Sequence, residues 1–288
     1  MKTIMIATDF SNASYSAVKY GIRLGAILDI RVVLFHAFQV VTIIPDAYTS
    51  IDINDLKETA EKELRKEAME LRQNSSQIID VLAVEGDEST MIQLYANRYS
   101  ECLLICGIKS KGKLFNRFLG DTITALLKTM QISLLVVPEG FEWMPIKKIT
   151  LASAIDTETD LETLDQLKSI ATTFESKILI VRVLETKFSV IEEIKYHSER
   201  LTSYLKDFTP EYYFPKSNDV TASLNEFASA KNIGLMVMIS HPHNMLDRIF
   251  AISETDTMVF RTAIPLMILP EIKMKNKLNE KKKENAVA

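Results

Sequence analysis

From Thr3 to Pro270 the chain alternates short, apolar, β-branched runs with longer amphipathic segments, and it passes through that order twice. Short apolar runs read as strands, and segments with apolar residues three or four apart read as helices. Strands alternating with helices form βαβ units, which build a parallel sheet with helices on both faces. Runs that are apolar at nearly every position fit strands covered on both sides. In the first half the spacing predicts strands over Thr3–Ala7, Arg31–Ala37, Gln77–Val84, Cys102–Cys106 and Ser133–Val137, the last closed by Pro138. Helices are predicted over Ser11–Leu28, about Ile51 to Gln73, Asp87–Arg98 and about Gly120 to Met130. Ser11 suits the N-cap of the first helix. The second helix carries Glu58→Lys62 and Glu61→Arg65 at i,i+4 spacing, the pattern of a solvated face.

The second half repeats the order. Strands are predicted over Lys148–Ala152, Lys177–Val183, Glu211–Phe214, Leu235–Ile239 and Ile264–Leu269, the last closed by Pro270. Helices are predicted over Thr159–Phe174, Ser189–Lys206, Asp219–Lys231 and Ser253–Arg261. Ile132-Ser133-Leu134-Leu135-Val136-Val137-Pro138 matches Ile264-Pro265-Leu266-Met267-Ile268-Leu269-Pro270. The pattern is an internal duplication with a joint at Glu139–Pro145. The expected domains are 1–140 and 146–270. The stretch 271–288, with Lys281-Lys282-Lys283 and few apolar residues, reads as a disordered basic tail.

Composition narrows the function. The chain has 288 residues, 47% of them hydrophobic, enough for two cores, and a net charge of −4. That balance gives no basic field for nucleic acid. The apolar run at the N-terminus is stopped by Asp9, too early for a secretory signal, and no apolar stretch approaches the ~20 residues of a membrane span. A cytoplasmic location is the expectation. Cys102 and Cys106 share one strand face about 13 Å apart, too far for a disulfide, and read as buried reduced thiols. No Ser-His-Asp, Cys-His or paired-carboxylate set can be placed at the strand edge, so no catalytic residues are assigned.

In an open α/β sheet, ligands bind beyond the carboxyl ends of the strands at the switch point. Three segments of the first half reach that edge: Ala7-Thr8-Asp9-Phe10, His36-Ala37, and the loop from Gly107 to Asp121. The loop holds Gly107, Gly112 and Gly120, the cations Lys109, Lys111, Lys113 and Arg117, and a helix start at its end. Backbone amides and a helix N-terminus form an anion site; a solvated loop is the plainer alternative. Gly107 to Lys113 also fits G-x-x-x-x-G-K, but Leu114 stands where a hydroxyl should hold magnesium. That match reads as coincidence.

Thr8-Asp9-Phe10-Ser11 after the first strand, the loop spacing and the Val136-Val137-Pro138 ending together resemble the universal stress protein family. Nucleotide-binding members carry a glycine, two residues, a glycine, nine residues, and a glycine followed by Ser or Thr. Here that spacing is kept as Gly107, Ser110, Gly120 and Asp121, with two of the four identities changed. The resemblance runs from about Lys2 to Pro270 as two copies. It implies a tandem pair of five-stranded parallel-sheet domains with the adenine nucleotide alpha hydrolase-like fold. It further implies a stress-response regulatory protein, with ATP or AMP as ligand and magnesium only alongside the nucleotide. Carried over, Asp9 would hold ribose or adenine beside Thr8. The backbones of Ala7 and Ala37 would line the base. Gly107, Ser110 and Gly120 would give close backbone approach to phosphates. Asp121 departs from the pattern, because an ionised carboxylate cannot donate to phosphate and repels it. The helix-capping region is the alternative role for Asp9; an interaction scaffold without nucleotide is the alternative function, and a weak ATPase is the third.

The second copy lacks the loop glycines. Ser240 to Ser253 keeps the length but contains Pro242 and no glycine, and seven of the eight glycines precede Phe141. Its opening turn has Ala154 where the aspartate is expected, or a displaced Asp156. His241 and His243 lack a clear third ligand, so a surface loop is the reading there. One nucleotide at most, in the first copy, is expected. Partner expectations are an intramolecular pseudo-dimer through antiparallel pairing of Ser133–Val137 with Ile264–Leu269, and a homodimer.

Overall fold

The computed structural model describes residues 1–39, 52–73, 76–99, 101–109, 121–129, 132–152, 161–184, 199–240, 252–253, 256–257 and 262–270. The chain divides into two compact units, Met1–Trp143 and Met144–Ala288.

In the first unit the elements run β1 (Thr3–Ala7), α1 (Asn12–Leu28), β2 (Arg31–Phe38), α2 (Ile53–Leu71), β3 (Ile79–Glu85), α3 (Glu88–Ala96), β4 (Cys102–Ile108), α4 (Asp121–Thr129) and β5 (Ser133–Pro138). The strands lie in the order β3-β2-β1-β4-β5, all parallel, with Ile6 opposite Ile105 and Ala7 opposite Phe35. The order steps one way from β1 through β3 and the other way from β4 to β5. Right-handed crossovers therefore put α1 and α2 on one face and α3 and α4 on the other. The reversal between β1 and β4 is the switch point, where a crevice opens at the carboxyl edge.

The local chemistry explains these elements. The Ser11 side chain accepts from the Ser14 amide to cap α1, and the helix stops at Asp29, whose φ of 53° is left-handed. Ala17, Tyr20 and Leu24 bury one stripe of α1, and each large side chain so buried contributes roughly 1.5–3 kcal/mol. Val18 and Ile22 of the same helix are fully buried as well. A Cβ on Gly21 would lie 2.5 Å from Ile6 Cδ1, so glycine lets the helix approach the sheet closely. α2 buries only Ala60, Leu64 and Ala68, and its outer face holds the Glu58–Lys62 and Glu61–Arg65 pairs expected from their spacing. The buried runs Ile4–Ile6 and Leu103–Ile105 form the centre of the core.

The segment expected as a joint is partly structured. The Gly140 amide donates to Ser16 Oγ (2.9 Å), Trp143 packs against Tyr20 (4.8 Å between centroids), and Arg23 sits 5.3 Å from the Trp143 ring. Residues up to Trp143 thus fold onto α1. The two thiols are free and buried. Burial pushes the Cys102 thiol up to about 12 and also raises Cys106, so both stay protonated at neutral pH.

The second unit runs β6 (Lys148–Ala152), a 3₁₀ turn (Leu161–Leu164), α5 (Asp165–Phe174), β7 (Lys177–Val181), helical residues 199–204, β8 (Glu211–Tyr213), α6 (Val220–Lys231), β9 (Leu235–Ser240), β10 (Ile252–Ser253), β11 (Asp256–Thr257) and β12 (Leu266–Pro270). Its main sheet has the order β12-β9-β6-β7-β8, all parallel. Counted from each unit's first strand, that is the same topology as in the first unit. Asp219 caps α6 through the Ala222 amide (2.9 Å). One expectation fails. The helix predicted over Ser253–Arg261 is replaced at its start by an antiparallel pairing of Ile252 with Thr257 and Ser253 with Asp256. Ser, Thr and Asp compete with the helical backbone for hydrogen bonds, and β-branched Thr loses rotamers in a helix.

Candidate functional site

The site is built on the turn that follows β1. Ala7 ends the strand, buried, and Thr8 is 2% exposed. The Thr8 amide donates to the Phe35 carbonyl (2.9 Å), extending the β1–β2 pairing by one residue. The Thr8 hydroxyl donates to Ser14 Oγ (3.1 Å) and accepts from the Phe10 amide (3.1 Å), and the Ser14 hydroxyl donates to the Ser11 carbonyl (3.0 Å). Thr8 thus locks the turn rather than facing the crevice. Asp9 is exposed, and its Oδ1 accepts from the Ser11 amide (3.0 Å). Partial burial works to raise the Asp9 carboxyl. The hydroxyls of Ser11 and Ser14 and the Ser11 amide outweigh it and hold the group below its ordinary 3.8. Asp9 is a fixed, ionised carboxylate at the switch point, while the capping duty itself belongs to Ser11.

Phe10 takes a φ of 61°, left-handed for a bulky residue. That turn leaves its ring 38% exposed and 4.7 Å from the ring of His36. His36 in turn stacks with Phe38 at 6.5 Å and 20°. His36 Nδ1 lies 2.8 Å from the Thr8 carbonyl, which only accepts, so Nδ1 carries the hydrogen. Phe10, His36 and Phe38 therefore form a partly exposed aromatic shelf beside Asp9. Ala37 lies on β2 opposite Val84, half-buried at the same edge. His36 was placed at this edge by the sequence but given no role; its signal is an aromatic flanked by Phe35 and Phe38 at a strand end.

At the end of β4, Gly107 has a packing role. A Cβ there would lie 2.0 Å from the Ala13 carbonyl oxygen and 2.6 Å from the Ser14 nitrogen. Only a glycine lets β4 run this close to the first turn of α1. Lys109 follows, exposed. Ser110 and Gly120 lie outside the described residues, as do Lys111, Lys113 and Arg117; Asp121 opens α4. The next residue supplies a hydroxyl: Thr122 Oγ1 donates to Glu88 Oε2 (2.7 Å) at the start of α3. Among the described residues no group of three or more His, Cys, Asp or Glu side chains could hold a metal ion, and no helix is long and apolar enough to cross a membrane. In the second unit, residues 153–160 and 241–251, which include Ala154, Asp156, His241 and His243, lie outside the described residues.

Comparisons place this arrangement. The model of the universal stress protein family matches residues 1–138. No curated protein matches the chain. A universal stress protein from Archaeoglobus fulgidus DSM 4304 has a TM-score of 0.70 at 13% identity, covering 93% of this chain and 96% of that one. A functionally unknown protein from Pseudomonas aeruginosa PAO1 has a TM-score of 0.61 at 12% identity, covering 99% of this chain and 98% of that one. At such identities the likeness is one of fold, the adenine nucleotide alpha hydrolase-like fold of both units. With its opening turn, its strand order and the match over residues 1–138, the first unit is a domain of the universal stress protein family.

Proposed function

We propose that this is a tandem, stress-response regulatory protein of the cytoplasm whose first unit binds an adenine nucleotide or nucleoside at the β1–β4 crevice. The observation that carries the reading is the fixed Asp9 carboxylate beside the Phe10–His36–Phe38 shelf. A carboxylate accepts from ribose hydroxyls or an adenine amino group, and an exposed aromatic face accepts a purine by stacking. Ala7 and Ala37 contribute backbone beside the base. Gly107, Ser110, Gly120 and Asp121 belong to the phosphate end, with magnesium entering only with the ligand. The second unit acts as a structural copy, since its loop lacks glycine. β5 and β12 end the strand orders of their own units, and mutual pairing of such apolar edges within one chain would hide both. Homodimerisation is part of the same proposal.

A scaffold that binds no nucleotide is the second reading. It is favoured by Gly107, whose missing side chain is already explained by packing, and by Thr122, whose hydroxyl is already engaged. Mass spectrometry of small molecules released from the purified, denatured protein separates the two. An adenine compound at near one equivalent per chain is the expected result. Its absence, together with no binding of added ATP, AMP or adenosine, would leave the scaffold.

A further inference from the structure

β3 ends the strand order of the first unit, so its outer edge meets no strand among the described residues. The backbone bonds to β2 fix which groups face outward. The Ile78 carbonyl accepts from the Val32 amide, and the Gly86 amide donates to the Phe38 carbonyl. Hydrogen-bonding groups of alternate residues point to opposite edges of a strand. Asp80, Leu82 and Val84 therefore bond to β2, while the amides and carbonyls of Ile79, Val81, Ala83 and Glu85 point away from the sheet.

Proteins blunt an open edge with a very short strand, lysine, proline or a bulge. β8, which ends the order of the second unit, is three residues long between Pro210 and Pro215. β3 has seven residues, with no lysine, proline or glycine among them. Its one internal charge, Asp80, is already held by Arg31. Met69 and Ile78 stand beside this edge, 78% and 62% exposed. The edge is long, apolar and unprotected, as a paired strand would be.

We propose that the homodimer forms by antiparallel pairing of β3 with β3 of a second copy, about a twofold axis at Leu82. The inference rests on the homodimerisation included in the reading above and names its surface. Both end residues, Ile79 and Glu85, face outward. Full overlap thus sets outward residues against outward residues, Ile79 opposite Glu85 and Val81 opposite Ala83, each pair exchanging two ladder bonds. A slip by one residue would set outward residues against inward ones and lose the ladder. Charge favours the same register. Ile79 and Val81 share a groove with Arg65 and Arg72 of α2, so their side chains lie on the α2 face. Directly opposed side chains share a face. Glu85 of the second copy therefore arrives on the α2 face, opposite Ile79, at the end where Arg72 lies. Arg72 is exposed and donates to the Gln77 carbonyl (2.6 Å). Among the described residues it has no carboxylate partner, and the exposed Glu85 has no cation. The twofold makes this match at both ends of the strand. An unrelated peptide strand could use the ladder, but only a second copy brings a glutamate to each Arg72.

Sedimentation equilibrium of the full-length protein should give a dimer. Val81→Pro removes an outward amide and no bond to β2, a change that edge strands tolerate. It should weaken dimerisation at least about ten-fold with an unchanged far-UV spectrum. Glu85→Arg and Arg72→Glu should each weaken it about ten-fold, and the double exchange should restore it. Leu82→Cys should cross-link two copies on oxidation, because opposed residues in a pair without ladder bonds have Cα atoms about 4.5 Å apart. Asp80→Cys, opposite Val84, should not cross-link. The native thiols are buried and do not compete. Should Val81→Pro fail to fold, the charge exchange and the cross-link decide. A dimer of unchanged affinity in Val81→Pro and Glu85→Arg, or a Leu82→Cys protein that stays uncross-linked, overturns this surface and leaves homodimerisation to another. A wild type that sediments as a monomer at every concentration overturns both.

Discussion

Replacing Gly107 with alanine isolates the contact that joins β4 to α1. The added methyl would lie 2.0 Å from the Ala13 carbonyl oxygen, 2.3 Å from its carbon and 2.6 Å from the Ser14 nitrogen. Non-bonded heavy atoms sit about 3.5–4.0 Å apart at their optimum, so the first turn of α1 must recede by more than an ångström. That turn is backbone and cannot rotate aside. It is also tied down by the Ser11 cap and by the Thr8–Ser14 hydrogen bond. Overpacking of this kind costs about 1–3 kcal/mol, and a backbone neighbour puts Gly107→Ala at about 3 kcal/mol. Gly140 is the matched control. Its φ is 74°, but nothing lies within 4 Å of an added Cβ, so Gly140→Ala carries only the left-handed penalty of about 1 kcal/mol. Urea denaturation of both variants, read as midpoint shifts at constant m, makes the comparison. A Gly107→Ala variant within about 0.5 kcal/mol of wild type, or more stable than Gly140→Ala, would refute the packing argument. A larger substitution at Gly107 that abolished nucleotide binding would therefore report on folding, not on phosphate contact.

Asp121→Ser should tighten ATP binding about ten- to a hundred-fold and AMP binding less, because it removes a negative charge and adds a donor at the start of α4; equal ATP affinities by calorimetry would place Asp121 outside the site. Glu67 has an oxygen buried without a hydrogen-bond partner, and burial, then Glu70, Glu63 and Asp9, raise its carboxyl above the usual 4.5. Folding then favours the protonated form, so stability falls as pH rises from 4.5 through the raised value. Glu67→Gln should stabilise the protein at pH 7, by less than about 1 kcal/mol for a half-exposed group, and the gain should vanish below pH 4.5 in denaturation curves. Tyr20 is buried with its hydroxyl unpartnered, and burial raises the phenol strongly. Tyr20→Phe should leave the melting temperature unchanged or raise it, since a buried unsatisfied hydroxyl costs about 1–3 kcal/mol; a lowered melting temperature would reveal a partner for that hydroxyl.

The strands were legible because their burial is a local property of composition. Ile4–Ile6 and Leu103–Ile105 are apolar at every position, and the sheet covers both faces. α1 was legible from Ser11 and its apolar spacing, and α2 from its i,i+4 ion pairs. β2 and β4 run one and two residues past the expected ends, to Phe38 and Ile108, because neighbouring strands continue the pairing to Glu85 and Pro138. Polarity alone marked Glu139–Pro145 as a joint, yet Phe141 and Trp143 within it pack on Tyr20 of α1. The site was legible as a set of turns, not as contacts. Asp9 lies within two residues of the amide that orients it, so its turn could be read locally. Gly107 meets Ala13, and Glu88 meets Thr122, only through the fold. Sequence spacing gives no sign of either pairing.

The most direct measurement is a calorimetric titration of the full-length protein with AMP and adenosine, repeated on Asp9→Ala. The expected result is one site per chain, weakened at least ten-fold when the carboxylate is removed, with the melting curve of the variant still showing a folded protein. Two equivalent sites per chain, or binding that survives Asp9→Ala unchanged, would contradict it.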